Sequence, residues 1–536
     1  MTDVTVIGAG AAGCAAARRL SEDPEVSVTL LEAGGTTDRP DVQAPPAWPS
    51  LMGGDLDYAT LSVPQRDADG RRFMLSRGRG LGGSTVINAM IHSLPNTATL
   101  DSWPETLSSM HLARVIDLIE QHSADANATG TTEHRGTNGL VASRQALEPN
   151  AVSTAFIESC LQAGYPALGD PNRAGARGAG LFDLSIDPSG RRADAYGAYL
   201  TPMLDRPNLE VVTGAEVTRL EISDGRVTAL QVPRDGRTET IPISGDVLLC
   251  TGTVATPVLL MRSGIGPAAD LRAAGIKVII DSAAVGQNLH DHPMIPVVYS
   301  SERPIAPPTN QLFEALLYLP HETSVDGHTI SAAVGHIPFP LPGLPSPEFG
   351  ITALVGTYTP RSRGMITLDP ADPNGDPLID PSYLSESTDV KALVAGLSMV
   401  REIFTQDALA AFGLKELFPG PTAVDEEELA AAVRAGVSSF YHPVGTCRAG
   451  DDPESVVDGQ MRLRGLENVR IADMSIAPIV PEVATSVAAQ FIGWRTAEVI
   501  LEDGVSGEAA TKAAERQLAD SQRRAAARKR THPATG

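Results

Sequence analysis

The sequence predicts an α/β protein built on a parallel sheet, and three features near its N-terminus lead to that prediction. The apolar run Val4 to Ile7 is typical of a buried strand, and it leads directly into Gly8, Gly10 and Gly13. The alanine-rich segment 11–20 is typical of a helix. A second apolar run, 26–31, ends at Glu32. Together these features predict a strand–helix–strand unit with parallel strands.

The three glycines predict a binding site for a dinucleotide. Gly8 permits the tight turn, Gly10 lets the backbone approach a pyrophosphate, and Gly13 lets the helix pack on the strand. The helix N-terminus offers unpaired N–H groups and the positive end of a dipole to the phosphates. Glu32 would accept a hydrogen bond from a ribose hydroxyl and repel a 2′-phosphate, which disfavours NADP. We expect Ala11, Ala12 and Ala33 to line the same site. A glycine-rich turn without a ligand is the alternative.

Composition predicts a globular protein of two to four structural units, because the chain has 536 residues. A net charge of −23 argues against binding to nucleic acid or anionic lipid. No apolar window of about 18 residues occurs and the N-terminus lacks a basic region, so we expect neither a membrane-spanning helix nor a secretory signal. The four cysteines are widely spaced and form no metal pattern. Reduced thiols in a cytoplasm are the simplest interpretation, and the residue usage favours a bacterial source.

A second glycine-rich segment, 77–88, reads RGRGLGGSTVIN. Its glycines would let the backbone approach a flat or anionic ligand closely. Ser84 and Thr85 are good N-cap residues, so we expect a helix to begin there. A flexible loop without a ligand is the alternative for this segment.

A histidine pair, His290 and His292, flanks Asp291 and raises the question of a metal site. No further ligand follows at a useful spacing. We therefore expect a structural turn here and predict no bound metal.

Five motifs together resemble the glucose–methanol–choline (GMC) flavoprotein oxidoreductases. They follow the order of that family from residue 4 to residue 500: the glycine motif 5–13, the segment 77–88, VGQNLHDHP at 285–293, YHPVGTC at 441–447 and VRIAD at 469–473. The resemblance implies a Rossmann-like FAD-binding domain interleaved with an α+β substrate-binding domain, in which helices cover an antiparallel sheet. We assign 1–144, 196–299 and 425–503 to the first domain, and 145–195 and 300–424 to the second. Residues 504–536 would form a polar, partly disordered tail.

The resemblance also implies roles for particular residues. His442 matches the histidine that the family uses on the substrate hydroxyl, and a neutral imidazole can accept that proton. The family's FAD site maps onto Arg79, Leu81, Gly82, Gly83, Ser84, Asn88, Val217, Gly252, Asp473, Ala484 and Thr485. The implied activity is oxidation of an alcohol by hydride transfer to flavin N5. The electron acceptor would be oxygen or a carrier such as a quinone.

The chain departs from the family pattern at two positions. Ala484 stands where the family usually has a second catalytic His or Asn, and alanine cannot hydrogen-bond a hydroxyl. Glu482, Thr485 or Ser486 could substitute, or a polar group of the substrate domain could do so. A flavin-dependent lyase or an inactive FAD-binding member is therefore the alternative function. Some relatives attach FAD through a histidine at the position of Ile87, so we expect non-covalent FAD here.

The end of the chain carries five basic side chains between Arg523 and Arg530. A solvated extension is the simpler interpretation, and an electrostatic contact with a partner is the alternative.

Overall fold

The computed structural model describes residues 2–123, 135–234, 236–320, 328–341 and 346–504. Its first layer is a five-stranded, wholly parallel sheet. The strand order is Val469–Ile471, Asp246–Leu249, Thr2–Ile7, Val26–Leu31 and Leu209–Val212. This sheet confirms the predicted α/β class with its Rossmann-like unit. The predicted tail beyond Gly504, with its basic cluster, lies outside the described residues.

Helices cover this parallel sheet. The helix Ala11–Leu20 follows the glycine turn and packs on the long helix Ser486–Gly504. Their contact is close because a Cβ atom on Gly493 would lie 2.1 Å from the carbonyl oxygen of Ala12. The helix Gly252–Arg262 follows the strand Asp246–Leu249. A small antiparallel sheet lies beside this layer and contains Arg219–Ser223, Arg226–Arg234 and Arg237–Pro242.

The second layer is an antiparallel sheet of seven strands. Six follow the order Lys415–Phe418, Pro293–Ser300, Gly350–Thr357, Ile330–Gly335, Phe313–Leu319 and Gly178–Leu181. The two-residue strand Ser438–Ser439 also pairs with Pro293–Ser300. The predicted segment boundary at 299 therefore falls at the end of a strand of this sheet. The residues of that strand are buried on both faces of the sheet. Its sequence therefore lacks the alternation of apolar and polar residues that would mark the passage from the first sheet to the second.

Alternate residues of the second sheet face two different environments, as the two-residue period of a strand requires. One face packs on the helices Ala151–Gln162, Ser387–Phe404 and Glu426–Gly436. The opposite face contributes Met294, Phe313, Leu316, Ala333 and Leu354 to a separate apolar cluster. This second face is turned toward the cavity described below.

Shorter elements connect the two layers. The helices are Pro40–Gln43, Trp48–Leu51, Thr97–Asp101, Ser109–Ile119, Ala268–Ala273 and Asp407–Ala410. The strands are Thr60–Leu61, Met74–Leu75, Glu120–His122, Val141–Gln145, Asp183–Leu184, Ile265–Gly266, Ile280–Asp281, Met365–Thr367 and Leu378–Asp380. Across the described ranges, no helix combines the length and the apolar character that crossing a bilayer would require.

Candidate active site

One large cavity of about 950 Å³ extends along the carboxyl edge of the parallel sheet to the second sheet. The glycine turn lines one part of it, with Gly8, Gly10 and Glu32. His442 lines another part, beside strands of the antiparallel sheet. The cavity thus joins the two regions in which the sequence predicts chemistry.

The three N-terminal glycines serve different purposes. A Cβ atom on Gly10 would meet no atom within 4 Å, so this residue faces open space in the cavity. A Cβ atom on Gly13 would lie 1.9 Å from the carbonyl oxygen of Gly8, so Gly13 allows the helix to approach the turn. Gly8 has φ +99°, and a Cβ there would lie 2.5 Å from the carbonyl oxygen of Cys250. This division of roles matches the sequence argument for a pyrophosphate turn.

The carboxylate of Glu32 connects three loops around the cavity. One oxygen accepts the backbone N–H of Ala9 at 2.8 Å. The other accepts those of Gly34 at 2.8 Å and Gly80 at 3.0 Å. Burial raises the pKa of Glu32, and the three N–H donors oppose that rise. Glu32 lines the cavity with a structural role that the sequence did not reveal, and its ribose contact stays a prediction.

A short 3-10 helix, Gly83–Val86, forms in the segment 77–88, but neither Ser84 nor Thr85 caps it. The Ser84 hydroxyl instead accepts the backbone N–H of Gly78, six residues earlier. The expectation of an N-cap was wrong because the segment folds back on itself. A Cβ atom on Gly78 would lie 2.1 Å from the carbonyl oxygen of Gly83, which is a loop contact that no local pattern reveals.

A buried guanidinium that the sequence analysis missed holds the end of this segment. Arg192 donates to the side-chain oxygen of Asn88 at 2.8 Å and to the backbone oxygens of Thr85 and Asn88. Its Nε donates to the carbonyl oxygen of Val42 at 2.8 Å. Burial lowers the pKa of Arg192 to about 10. No sequence signal marks this residue, because its partners lie more than a hundred positions away.

Most of the predicted cofactor residues lie at the cavity. The lining includes Gly8, Gly10, Ala11, Ala12, Glu32, Ala33, Gly83, Ser84, Asn88, Val217, Gly252, Asp473, Ala484 and Thr485. Four predicted residues lie behind this wall: Gly13, Arg79, Leu81 and Gly82. Leu81 belongs to the apolar core, and the Arg79 guanidinium lies 5.8 Å from the ring centroid of Tyr58. For Gly13, Arg79 and Gly82, an adjacent residue of the chain lines the cavity instead.

Asp473 joins the first turn of the helix Gly252–Arg262 to the segment that follows the strand Val469–Ile471. One carboxylate oxygen accepts the Gly252 N–H at 2.8 Å and the Thr256 hydroxyl at 2.6 Å. The other accepts the N–H of Ser475 at 2.8 Å. Burial raises the pKa of Asp473.

A single carboxylate, Asp291, positions two histidines at the other part of the cavity. Its Oδ1 accepts the backbone N–H of His292 and that of His442, each at 2.8 Å. Its Oδ2 accepts hydroxyl hydrogen bonds from Tyr383 and Ser439. Asp291 therefore brings together two chain segments that are 150 residues apart.

The two histidine rings meet through their Nδ1 atoms, which lie 3.0 Å apart. His292 is fully buried, whereas His442 is half-buried at the cavity wall. Burial and the nearby Arg77 guanidinium lower the pKa of His442 to about 3. Burial also lowers the pKa of His292 far below its ordinary value. Both imidazoles are therefore neutral near pH 7, with one N–H each.

His290 takes no part in this pair. Its Nδ1 lies 2.7 Å from the carbonyl oxygen of Asn288, and its Nε2 accepts the N–H of Val480 at 2.9 Å. Both ring nitrogens are thus engaged by the backbone, as expected for the structural turn that the sequence analysis favoured over a metal site.

The surroundings of Ala484 show which polar groups reach the cavity near His442. The Glu482 carboxylate accepts a hydrogen bond from the Thr329 hydroxyl of the antiparallel sheet. Tyr358 also lines the cavity and interacts with the Ser331 hydroxyl. Polar groups of the second sheet therefore lie on the same cavity as Ala484.

The remaining wall near the second sheet is apolar and rich in aromatic rings. It includes Trp48, Phe182, Met294, Phe313, Leu316, Ile337, Phe339, Leu354 and Phe440. Phe313 and Phe339 pack edge to face with their ring centroids 5.8 Å apart. A ligand with an apolar, ring-bearing body fits this wall.

Comparison with known proteins gives a consistent result. Sequence models of GMC oxidoreductases match residues 2–294 and 360–493. The chain is 31% identical to an alcohol dehydrogenase [acceptor] of Pseudomonas putida, over 94% of this chain and 96% of that protein. It is 32% identical to choline oxidase of Arthrobacter globiformis, over 96% of each.

Solved structures agree with these matches. Pyridoxine 4-oxidase from Mesorbium loti superposes with a TM-score of 0.86 at 31% identity, covering 93% of this chain and 98% of that one. A formate oxidase at 24% identity has a TM-score of 0.84 and supports the fold alone, with 94% of this chain and 98% of that one covered.

Proposed function

Because the chain belongs to the GMC oxidoreductase family, we propose that its cavity oxidises a ring-bearing alcohol, with His442 accepting the hydroxyl proton. The chain is an FAD-dependent oxidoreductase that acts on the CH–OH group of a small-molecule donor and passes electrons to an acceptor. The proposal concerns the residue that accepts the proton, the class of the substrate and the mode of FAD attachment.

The cavity has the shape and the chemistry that FAD needs. Gly10 faces open space where a side chain would intrude, at the N-terminal end of the helix Ala11–Leu20. Backbone N–H groups at such a helix end favour a diphosphate. Val217 and Glu32 line the same part of the cavity and would face the adenosine. Asn88, Asp473 and Thr485 line the continuation toward His442 and would hold the isoalloxazine.

Bound flavin supplies the hydride acceptor of the reaction. The chain must then remove the hydroxyl proton of the substrate, because hydride loss from an alcohol leaves a carbonyl only if that proton also departs. His442 is a neutral imidazole at the cavity wall, so it has a lone pair for that proton. Its Nδ1 is directed at His292, which leaves Nε2 as the atom that would face the substrate.

The observation that carries the proposal is the single cavity that joins Gly10 to His442. A flavin held at the glycine turn could extend through this cavity as far as the imidazole.

The apolar wall favours a substrate whose carbinol carbon is attached to an aromatic or large apolar body. Rings such as Phe313, Phe339 and Phe440 can pack against such a body, and desolvation of an apolar ring is favourable at about 25 cal/mol for each Å² buried. A polyol would leave many hydroxyl groups facing this wall without partners, at a cost for each one. Pyridoxine, after which the structurally similar pyridoxine 4-oxidase is named, is itself a ring-bearing alcohol.

The lyase or inactive alternative, which rested on Ala484, is not favoured. The relatives are named as dehydrogenases and oxidases, and the polar groups around Tyr358 and Glu482 lie on the same cavity. We propose that the reduced flavin passes its electrons to a carrier such as a quinone and not to oxygen. We also propose a bacterial cytoplasm as the location, which the four free, buried cysteines support.

Anaerobic mixing of the purified protein with alcohols tests the proposed function. Aryl and alkyl carbinols are compared with choline and a polyol, and the bleaching of the oxidised flavin band is followed in time. We expect the fastest bleaching with aryl carbinols. Bleaching only by choline or by the polyol would contradict the substrate class, and no bleaching by any alcohol would contradict the function.

Release of the cofactor tests how FAD is attached. Ile87 offers no nucleophile at the position where some relatives have a histidine, and it belongs to a small apolar cluster with Val42, Leu51, Leu56 and Val86. We therefore expect acid precipitation to leave all of the flavin absorbance in the supernatant. Yellow colour that remains with the washed precipitate would contradict this expectation.

A further inference from the structure

We propose that His292 is a positioning residue that fixes the tautomer of His442, so that the lone pair of Nε2 faces the cavity. The proposal builds on the proposed function, in which His442 accepts the substrate proton. It assigns a role to a histidine that the sequence analysis considered only as part of a structural turn or a metal site.

The hydrogen bond between the two rings requires unequal partners. The Nδ1 atoms of His292 and His442 lie 3.0 Å apart, and both rings are neutral near pH 7. One Nδ1 must therefore carry hydrogen and the other must carry a lone pair. Only two arrangements satisfy this condition, and they give opposite properties to the Nε2 of His442.

In the first arrangement, the N–H of His442 Nδ1 donates to His292 Nδ1. His442 Nε2 then carries a lone pair and can accept a proton. In the second arrangement, His292 donates, and His442 Nε2 carries a hydrogen. An imidazole in that form cannot take the substrate proton at Nε2.

The environment of His292 selects the first arrangement. The backbone groups of Tyr358 and Pro481 raise the pKa of His292 against the larger effect of burial, which is the direction expected from carbonyl oxygens near this ring. Its Nε2 is completely buried and makes no well-aligned hydrogen bond among the described residues. If Nε2 of His292 carried a lone pair, that lone pair would be buried near carbonyl oxygens and would lack a hydrogen-bond donor. An N–H at Nε2 would instead be attracted by the same carbonyl oxygens. His292 therefore carries its hydrogen on Nε2 and offers a lone pair at Nδ1.

The backbone fixes this pairing before any ligand binds. Asp291 Oδ1 accepts the N–H groups of both histidines, so neither segment can shift without losing a bond to a charged acceptor. The His292 ring also packs on Tyr358, with the centroids 4.3 Å apart. The charged or titratable groups that act on the pair are Arg77, Asp291 and His290. Of these, His290 is itself neutral, because burial lowers its pKa to about 3.

The arrangement also stabilises His442 once it has accepted a proton. The imidazolium still carries its N–H at Nδ1, and that N–H still donates to His292. A hydrogen bond from a charged donor is stronger than one from a neutral donor, so His292 favours the protonated product over the neutral ground state. His292 itself needs no change of protonation.

Two substitutions of similar size separate positioning from packing. In His292→Asn, the side-chain oxygen lies the same number of bonds from Cα as Nδ1, so an acceptor for His442 can be kept. His292→Leu removes the acceptor, and both variants lose the ring that packs on Tyr358. We expect flavin reduction to slow by roughly 10- to 100-fold in His292→Leu, as for loss of a hydrogen bond to a charged group, and by less than about fivefold in His292→Asn.

Nitrogen NMR of the FAD-loaded protein provides a readout that does not depend on turnover. The protein is labelled with 15N-histidine, and the His442 signals are those that disappear in His442→Ala. We expect a protonated Nδ1 and an unprotonated Nε2 for His442 in the wild-type protein. His292→Leu should move these signals toward a mixture of tautomers, and His292→Asn should not.

Either of two results would overturn the proposal: a protonated Nε2 on His442 in the wild-type protein, or equal defects in the asparagine and leucine variants. If the His292→Leu variant does not fold, the NMR spectrum of the wild-type protein still shows which ring nitrogen of His442 carries the hydrogen. Failure of the proposed function looks different, since alcohols would then leave the flavin oxidised in the wild-type protein whatever the tautomer of His442.

Discussion

The two ends of the cavity are built in different ways. At the glycine end, backbone packs directly on backbone. Gly13 lies against Gly8, and a Cβ atom added to Gly83 would lie only 2.6 Å from the Cα of Gly10. At the histidine end, side chains hold the site, with Asp291 joining the segments around His292 and His442. The first end depends on the absence of side chains, and the second depends on hydrogen bonds between particular side chains. We therefore expect substitutions to fail differently at the two ends.

The largest effect is expected at the glycine end. Gly10→Val places a branched side chain in the space where a pyrophosphate would lie, and its φ of −74° is acceptable for valine, so the fold should survive. We expect the purified variant to lack FAD. Gly169→Val is the matched control, because Gly169 is exposed, has no atom within 4 Å of its Cβ position and lies away from the cavity. The flavin content of both is read from absorbance, and full occupancy in a folded Gly10→Val protein would contradict the assignment.

At the histidine end, loss of the base should leave the cofactor in place. The His442→Ala variant should keep FAD. The rate at which substrate reduces the flavin should fall about 10²- to 10⁴-fold, which is the usual contribution of one positioned base. Stopped-flow absorbance under anaerobic conditions measures the rate. Glu482→Gln is the comparison, because its partner Thr329 lies on the second sheet. A larger defect in the glutamine variant than in His442→Ala would make Glu482 the base.

Acid should destabilise the histidine end before the glycine end. Burial lowers the pKa of His290 and His442 to about 3, from 6.5. The unfolded chain then binds more protons than the folded one below pH 6.5, so stability falls as the pH falls toward these values. The loss should reach about 2 kcal/mol for each such histidine at pH 5.

Denaturant unfolding at pH 7, 6 and 5 in excess FAD measures this loss. His290→Gln should reduce the pH dependence by about one proton, because glutamine does not titrate. An unchanged dependence in that variant would show that His290 is protonated in the folded protein.

The smallest expected effect concerns Arg77, whose guanidinium donates to the carbonyl oxygen of Tyr441 and lowers the pKa of His442. With that pKa near 3, the rate of flavin reduction should be constant from pH 5 to pH 9. The ordinary imidazole pKa of about 6.5 would instead give an inflection in this range.

Arg77→Met should raise the pKa of His442, so that the reduction rate begins to fall at a higher pH on the acid side. A rise of one pKa unit, from about 3 to about 4, should lower the reduction rate by only about a tenth at pH 5 and by about twofold at pH 4. Arg77→Lys keeps the charge and should keep the flat profile. Equal reduction rates at pH 4 in the wild-type protein and in both variants would contradict the electrostatic role of Arg77.

The glycine end and the histidine end of the cavity also differ in how well the sequence predicts them. The glycine turn and the strand–helix–strand unit around it depend on neighbouring residues, so local patterns are sufficient to predict them. The expected capping by Ser84 failed because the segment folds back on itself, so that the Ser84 hydroxyl accepts the N–H of Gly78. Neighbouring residues alone give no sign of such a loop closure.

The histidine end could be predicted only in part. The family motif marks His442, but its partner His292 lies 150 positions earlier, and the contact exists only after the antiparallel sheet forms. Arg192 is a similar case, since its acceptors Val42, Thr85 and Asn88 belong to other segments. Polar side chains with distant partners have no periodic pattern, so sequence alone does not distinguish them from surface residues.

The alternation of the second sheet has a consequence for protein engineering. Met294, Leu316, Ala333 and Leu354 face the cavity, while their chain neighbours Ile295, Leu317, Val334 and Val355 pack under the helices. Exchange of the first four residues changes the size and shape of the substrate compartment and leaves the helix-packed core untouched. The same strands thus provide a mutable surface for a combinatorial library and a fixed scaffold behind it. Neither the glycine turn nor the Asp291 hydrogen bonds need to be redesigned when the compartment is reshaped.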